Sequence, residues 1–263
     1  IRLGGPGLAN CMFMAAQAWI AAGCDETRYI TPTWLKFSIG PYIRRERDKR
    51  NYANLFKSRG ISGIKKALTI LNIKFGGGKC LYFNTLGNYF SNINQYQPQV
   101  KKYFESIINP EIITSVDGSD LRECVAVHVR LGDYVPSLRI PISWYVGILR
   151  NITKINPKQR IILFSDGSDA ELADLLVMPG VERRFYGNAI ADIWAISKCK
   201  LLIGSDSTFS AWGAFLGNVP IIFSKRHFPT VYDGRQLEVV LGESMEIPSS
   251  FHNSITPAKD SNA

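Results

Sequence analysis

The stretch that decides the fold is Val125-Ala126-Val127-His128-Val129-Arg130-Leu131-Gly132-Asp133. Its first five residues are apolar and mostly β-branched, with one histidine, the pattern of a strand buried on both faces. Arg130 and Asp133 mark its carboxyl end, and Gly132 lets the chain turn sharply away. Similar runs recur at 160–164, 181–186, 201–203 and 220–223, with helical patterns over 143–152, 169–177, 189–199 and 208–216 between them. Such alternation predicts a parallel α/β sheet. Ligands of these sheets collect beyond the carboxyl ends of the strands.

Upstream the pattern is less regular. A short strand at 1–3, a Gly/Pro turn and a helix over 10–22 open the chain, and a second helix is expected over 97–108. Between them lies a mixed region rich in Arg, Lys, Tyr, Phe and Asn, with a turn at Gly76-Gly77-Gly78. Asp117-Gly118-Ser119-Asp120 is a polar break. It divides the chain into a domain over 1–120 and another over 121–263.

The chain has 263 residues, 46% hydrophobic and 20% charged, which excludes a disordered or collagenous protein. The best apolar run, 12–23, is short and interrupted by Gln17, so no membrane-spanning helix is expected. Thirty-one Lys+Arg against 22 Asp+Glu leave a charge of +9. A nucleic acid, an acidic membrane surface or a phosphorylated small molecule are the partners such a charge suggests. The densest run, Arg44-Arg45-Glu46-Arg47-Asp48-Lys49-Arg50, mixes signs and reads as a solvated face. Few aromatics interleave with it and no RNA-recognition or zinc-finger signature is present, so no nucleic-acid partner is expected. Cys11, Cys24, Cys80, Cys124 and Cys199 are scattered and odd in number. They form no CxxC pair and no disulfide framework, as expected of thiols in a reducing compartment.

Three strand ends carry unusual polar sets. Alternation puts His128 and Arg130 on one face. The Arg130 guanidinium there suits a phosphate, with Asp133 fixing its rotamer, or it braces the turn as an Arg–Asp pair. Ser165-Asp166-Gly167-Ser168-Asp169 is either a turn capped by Asp169 or a site where Asp166 accepts hydrogen bonds from a base or ribose. Gly204-Ser205-Asp206-Ser207-Thr208-Phe209-Ser210 offers more hydroxyls than one helix cap needs, which favours an anion at the helix N-terminus.

Several chemistries are missing their signatures. Gly4-Gly5-Pro6-Gly7-Leu8-Ala9 is not GxGxxG, no P-loop or GxSxG elbow occurs, and His128, His227 and His252 lack metal-ligand spacing. No metal and no cofactor are expected.

Together these elements resemble a known family. Gly7-Leu8-Ala9-Asn10-Cys11-Met12-Phe13 is similar to the G-L-G-N-Q-M-F opening of the α-1,2-fucosyltransferases of glycosyltransferase family 11. His128 to Tyr134 resembles the H-x-R-R-x-D-Y motif, and Phe164-Ser165-Asp166 the F-S-D that follows. Asp192-Ile193-Trp194-Ala195-Ile196-Ser197-Lys198-Cys199 and the stretch from Ser205 to Leu216 match D-x-x-x-x-S-x-C … S-N-S-T-F-S-W-W-G-A-x-L. Ala9, Cys11, Leu131, Asp206 and Ala211 depart from the pattern. Leu131 stands where a second Arg is usual, and Asp206 adds negative charge near the presumed phosphates.

The resemblance implies a GT-B-like α/β enzyme, two Rossmann-like domains facing a cleft, with the acceptor mainly on the first domain. The implied reaction is metal-independent, inverting transfer of fucose from GDP-fucose to a glycan acceptor, either an oligosaccharide or a lipid-linked saccharide. O2 of a galactoside is the expected hydroxyl. Arg130 would neutralise the departing diphosphate, with Ser205, Asp206, Ser207, Thr208, Phe209, Ser210 and Tyr134 around the donor. Asp166 would contact guanine or ribose, and Gly7 and Asn10 would reach across from the first domain. His128 and Asp133 are the candidate bases. A bacterial cytoplasmic enzyme, peripheral at the inner membrane face, is the expected setting, or the Golgi lumen if an anchor precedes Ile1. Two rivals remain: a transferase with another GDP-sugar or linkage, and a non-catalytic nucleotide-sugar or glycan-binding module.

Overall fold

Aromatic residues dominate the core of the first of two units into which the chain divides, Ile1–Thr114 and Ser115–Ala263. The computed structural model describes residues 2–3, 7–34, 36–37, 39–43, 52, 54–117, 120–132 and 136–256. In the first unit β1 (Arg2–Leu3) leads into α1 (Leu8–Ala21) and pairs in parallel with β2 (Lys36–Phe37). Then come α2 (Gly40–Ile43), α3 (Gly63–Lys74), α4 (Gln97–Ile107) and α5 (Pro110–Asp117). Trp19 of α1 stacks on Tyr103 of α4 at 5.0 Å, and Phe13 meets Phe90 edge-on at 4.7 Å. The Tyr29 and Tyr103 hydroxyls share a buried 2.6 Å hydrogen bond, which gives each phenol the partner burial demands. Burial raises both phenols far above the usual tyrosine value. Helix α3 was not legible in the mixed region, and none of its residues is buried.

The second unit alternates strand and helix as far as β7. Its order is β3 (Val125–Val129), α6 (Ile142–Ile155), β4 (Ile161–Ser165), α7 (Ala173–Leu176), β5 (Val181–Arg183), α8 (Ala189–Ile196), β6 (Leu201–Gly204), α9 (Thr208–Gly217), β7 (Ile221–Phe223) and β8 (Glu238–Val240). All six strands are parallel, in the order β5-β4-β3-β6-β7-β8. Counted from β3, that is the 3-2-1-4-5-6 order of a Rossmann sheet. Its topological switch point lies between β3 and β6.

Alternation sorts the strand residues between two helix layers. Val125, Val127, Val129 and Leu131 join Leu201 and Ile203 under α6 in one apolar cluster. The opposite face carries α8 and α9, whose residues are almost all buried. These two helices touch because glycines permit it. A Cβ on Gly213 would come within 2.5 Å of Ile196 Cγ2, and one on Gly217 within 2.1 Å of the Ser197 carbonyl.

Three expectations need correction. The helix over 169–177 is only Ala173–Leu176, with no side-chain cap, and the turn that precedes it is held by Ser168 rather than Asp169. Ser168 and Glu171 bond reciprocally: the Ser168 N–H donates to Glu171 Oε2 at 2.9 Å, and the Glu171 N–H to Ser168 Oγ at 3.3 Å. The strand over 181–186 ends at Arg183. The strand after α9 is not the last, because β8 pairs beyond it and completes the sheet. All five cysteines are free thiols.

Candidate functional site

The carboxyl ends of β3, β4 and β6 bring two polar clusters together at the switch point. In the first, His128 leaves β3 on the α9 side and is 4% exposed. Its Nδ1 lies 2.7 Å from Ser210 Oγ and 2.9 Å from Ser205 Oγ, and its ring stacks on Phe209 at 4.6 Å. Ser205 Oγ also bonds Ser207 Oγ and Ser210 Oγ, both at 3.1 Å. Ser207 caps α9 by accepting from the Ser210 N–H at 3.3 Å. Three buried hydroxyls and one imidazole therefore tie the end of β3 to the start of α9. Burial holds the imidazole well below its ordinary pKa. Asp166 opposes that shift and Arg130 adds to it. A neutral, weakly basic His128 suits this structural tie better than proton abstraction.

The second cluster sets the cation. Arg130 Nη1 pairs with Asp166 Oδ2 at 3.0 Å, and Asp166 Oδ1 accepts the Leu131 N–H at 2.8 Å. Asp166 comes from the end of β4, next to β3 in the sheet, so register places it against Arg130. Both side chains keep over a quarter of their surface in solvent. A Cβ on Gly132 would stand 2.6 Å from Asp166 Oδ2, so the glycine leaves room for the carboxylate. Asp166 thus orients Arg130, the part expected of Asp133. Asp133 and Tyr134 lie outside the described residues.

Two of the five departures from the family pattern, Leu131 and Asp206, have packing reasons. Leu131 is 4% exposed and belongs to the core cluster, with its Cδ1 2.5 Å from where a Cβ on Gly167 would be. An Arg at 131 with this direction would point into the apolar core. Asp206 turns to the segment after β7: its Oδ1 accepts the His227 N–H at 2.9 Å and lies 2.7 Å from His227 Nδ1.

Sequence reading missed several anchors. Arg183 ends β5 and donates to the Ser165 and Gly167 carbonyls at 3.2 and 2.6 Å while pairing with Asp169, which staples the turn that carries Asp166. Glu238 on β8 accepts the Val231 N–H at 2.7 Å and faces Arg226 Nε at 2.8 Å, close enough for an ion pair but not aligned as a hydrogen bond. Burial raises the Glu238 carboxyl. Arg183 lies 18 and 16 residues along the chain from the two carbonyls it binds, one strand on, and that separation leaves no spacing signal.

Thr208 opens α9, while Gly7 and Asn10 open α1 in the first unit, where the Asn10 N–H donates to the Gly7 carbonyl at 3.1 Å. That unit also holds a cavity of about 480 Å³ walled by Tyr29, Trp34, Tyr52, Lys66 and Tyr82. Lys66 Nζ donates to the Thr31 carbonyl at 2.6 Å and to Thr33 Oγ1 at 2.8 Å, and burial lowers its pKa. Among the described residues no group of three or more His, Cys, Asp or Glu is placed to hold a metal ion.

Solved structures share this architecture. A NodZ α-1,6-fucosyltransferase co-crystallised with GDP superposes with a TM-score of 0.50 at 15% identity, over 83% of this chain and 92% of that one. The selenomethionine form of fucosyltransferase NodZ from Bradyrhizobium gives 0.50 at 14%, over 89% and 95%. At such identities the likeness speaks for the fold alone, an α/β fold of the GT-B type. The O-antigen biosynthesis glycosyltransferase WbnK of Escherichia coli is 30% identical over 104 residues, 35% of this chain. The chain spans about a third (33%) of that relative. The pattern of glycosyl transferase family 11 matches residues 68–223, from α3 to the end of β7. That range is 156 of 263 residues and includes both polar clusters. With its matched segment covering more than half of the sequence, the chain belongs to glycosyl transferase family 11.

Proposed function

We propose that this glycosyltransferase moves L-fucose from GDP-β-L-fucose, with inversion, to a hydroxyl of a glycan acceptor, O2 of a galactoside. The observation that carries the reading is the placement of Arg130. It is a partly exposed guanidinium, oriented by Asp166, beside the switch-point crevice where the N-terminus of α9 begins. As the bond from fucose to the β-phosphate breaks, negative charge grows on the diphosphate. A preorganised guanidinium and the N–H groups of a helix start stabilise that charge more than the ground state. Ser205, Ser207 and Ser210 act by fixing the start of α9 through His128, since their hydroxyls are already hydrogen-bonded to one another and to it. Thr208 and the first-turn backbone of α9 are then the groups next to the phosphates. Asp166 positions Arg130, and guanine or ribose recognition is not assigned to it.

Support comes from the family and from the fold shared with a NodZ fucosyltransferase co-crystallised with GDP. The name of WbnK, an O-antigen biosynthesis enzyme, favours a bacterial surface-polysaccharide intermediate as acceptor. Leu131 and Asp206 are the departures that favour another donor, and each also has a packing role in this chain. The decisive experiment measures Arg130→Ala with GDP-fucose and a β-galactoside acceptor. Transfer is expected to fall at least 10²-fold with an unchanged circular dichroism spectrum. Near wild-type turnover would sink the reading. Parallel assays with GDP-mannose and UDP-galactose test the donor, and activity in EDTA tests metal independence.

A further inference from the structure

The excess charge is confined to one unit. Residues 1–114 contain 16 Lys+Arg and 6 Asp+Glu, a net of +10, while residues 115–263 contain 15 and 16, a net of −1. Within the first unit, no Asp or Glu occurs from Asn51 to Phe104, a stretch that holds eight Lys and Arg. Helix α3 lies inside that stretch.

On α3 the apolar residues are spaced as for packing against a core, yet they face solvent. Ile64, Leu68, Leu71 and Phe75 follow at i, i+4, i+7 and i+11, which puts them on one stripe. They are 81%, 61%, 51% and 84% exposed. The opposite side of the helix sends Lys66 and Ile70 to the cavity wall. Leu81 and Tyr82, which line the same cavity, are 77% and 73% exposed. Lys65, Lys74 and Lys79 are exposed around the stripe.

We propose that the outer face of α3 docks this unit onto an anionic membrane surface, with the apolar stripe in the headgroup boundary and the lysines on lipid phosphates. A short amphipathic helix with an apolar stripe and basic flanks binds by apolar burial plus attraction to anionic lipid. Exposed Lys65, Lys74 and Lys79 supply the complementary charge. No helix among the described residues is long and apolar enough to cross a membrane, so contact here is lateral. This inference does not depend on the identity of the donor.

Vesicle flotation tests it. The chain is mixed with vesicles of phosphatidylcholine alone, or with added phosphatidylglycerol. It is expected to float only with the anionic vesicles. Raising salt from 0.1 M to 1 M shortens the screening length from about 10 Å to about 3 Å and should weaken recovery. Leu68→Ser with Phe75→Ser should lower the floated fraction about tenfold. Both positions are exposed, so a far-UV spectrum should match the wild type. Val177→Ser, equally exposed in the second unit, is the control and should float normally. The proposal is overturned if the wild type never floats, or if the double variant floats as well as the wild type. It is likewise overturned if sedimentation shows a dimer that the double variant dissolves while neither binds vesicles, since a second copy then covers the stripe.

Discussion

The two units handle charge and apolar surface in opposite ways. The second, with a net charge of −1, buries its helices α8 and α9 almost completely and holds an oriented, partly exposed cation, Arg130, at the switch point. The first, at +10, leaves a whole helix stripe in solvent and seals its core with a few stacked aromatics. A nucleotide diphosphate is commonly sought where net charge is most positive. Here the candidate site is in the unit without excess charge. Field strength at a bound phosphate depends on the nearest oriented donors, because distant exposed charges are screened. Net charge and the charge at a site therefore carry separate information.

Leu131→Arg is the strongest attempt to break that contrast, since it adds the second guanidinium that the family pattern carries. Leu131 points into the core cluster beneath Gly167, so the variant would bury a charge and overfill the space. A destabilisation on the order of 4 kcal/mol is expected in urea melts, with no gain in transfer. A stable, more active variant would show that the turn re-aims position 131 toward the donor.

Asp166→Ala comes next. It frees Arg130 and leaves the Leu131 N–H without its acceptor. A fall in kcat of about 10²-fold is expected, with little change in KM for the glycan acceptor. Asp166→Asn keeps an oxygen for the Leu131 N–H and should retain part of the activity. A rise in KM for GDP-fucose in both variants, with kcat little changed, would make Asp166 a ligand of the donor rather than a positioning residue.

The second unit was readable because its pattern and its packing agree. Four of its six strands, β3, β4, β6 and β7, are short, largely apolar runs separated by helical patterns. β8 escaped notice because Glu238-Val239-Val240 is an edge strand with a charged residue at its start. The switch-point site was visible in residue types at strand ends, but its partnerships were not. Asp166 meets Arg130 through strand adjacency, 36 residues away in sequence. The hydroxyls after β6 read as phosphate ligands, and only the fold shows them turned inward to His128. In the first unit the stripe on α3 lay in plain sight at helical spacing. It was missed because a lysine-rich helix with no core partner gives no burial signal to anchor it.

Acidification separates the units differently. All three histidines, His128, His227 and His252, belong to the second unit. The folded-state pKa of His128 is lowered by burial, so the unfolded chain binds more protons than the folded one below the ordinary value of 6.5. Stability then rises with pH in that window and is lost as pH falls through it, by at most about 1.4 kcal/mol per pH unit. Removing the titrating group in His128→Gln should flatten this limb while lowering stability at neutral pH. A limb as steep in the variant as in the wild type would assign the acid sensitivity elsewhere.

The smallest expected effect is the most telling for the first unit. Leu68→Ala removes three carbons from a side chain that is 61% exposed, whereas Ile222→Ala on β7 would open a cavity in a side chain that is fully buried. A buried Ile→Ala costs about 2–5 kcal/mol, and a surface change away from special features stays within about 0.5 kcal/mol. Urea melts of the two variants measure that difference directly. If Leu68→Ala cost as much as Ile222→Ala, α3 would have to be packed in the folded protein, against another part of the chain or a second copy. The membrane role would then lose its surface. If the cost is near zero, Leu68 stands exposed on the α3 stripe without any return in stability. Its energetic benefit must then come from something outside the folded chain, and the lysines around it favour a surface of negative charge.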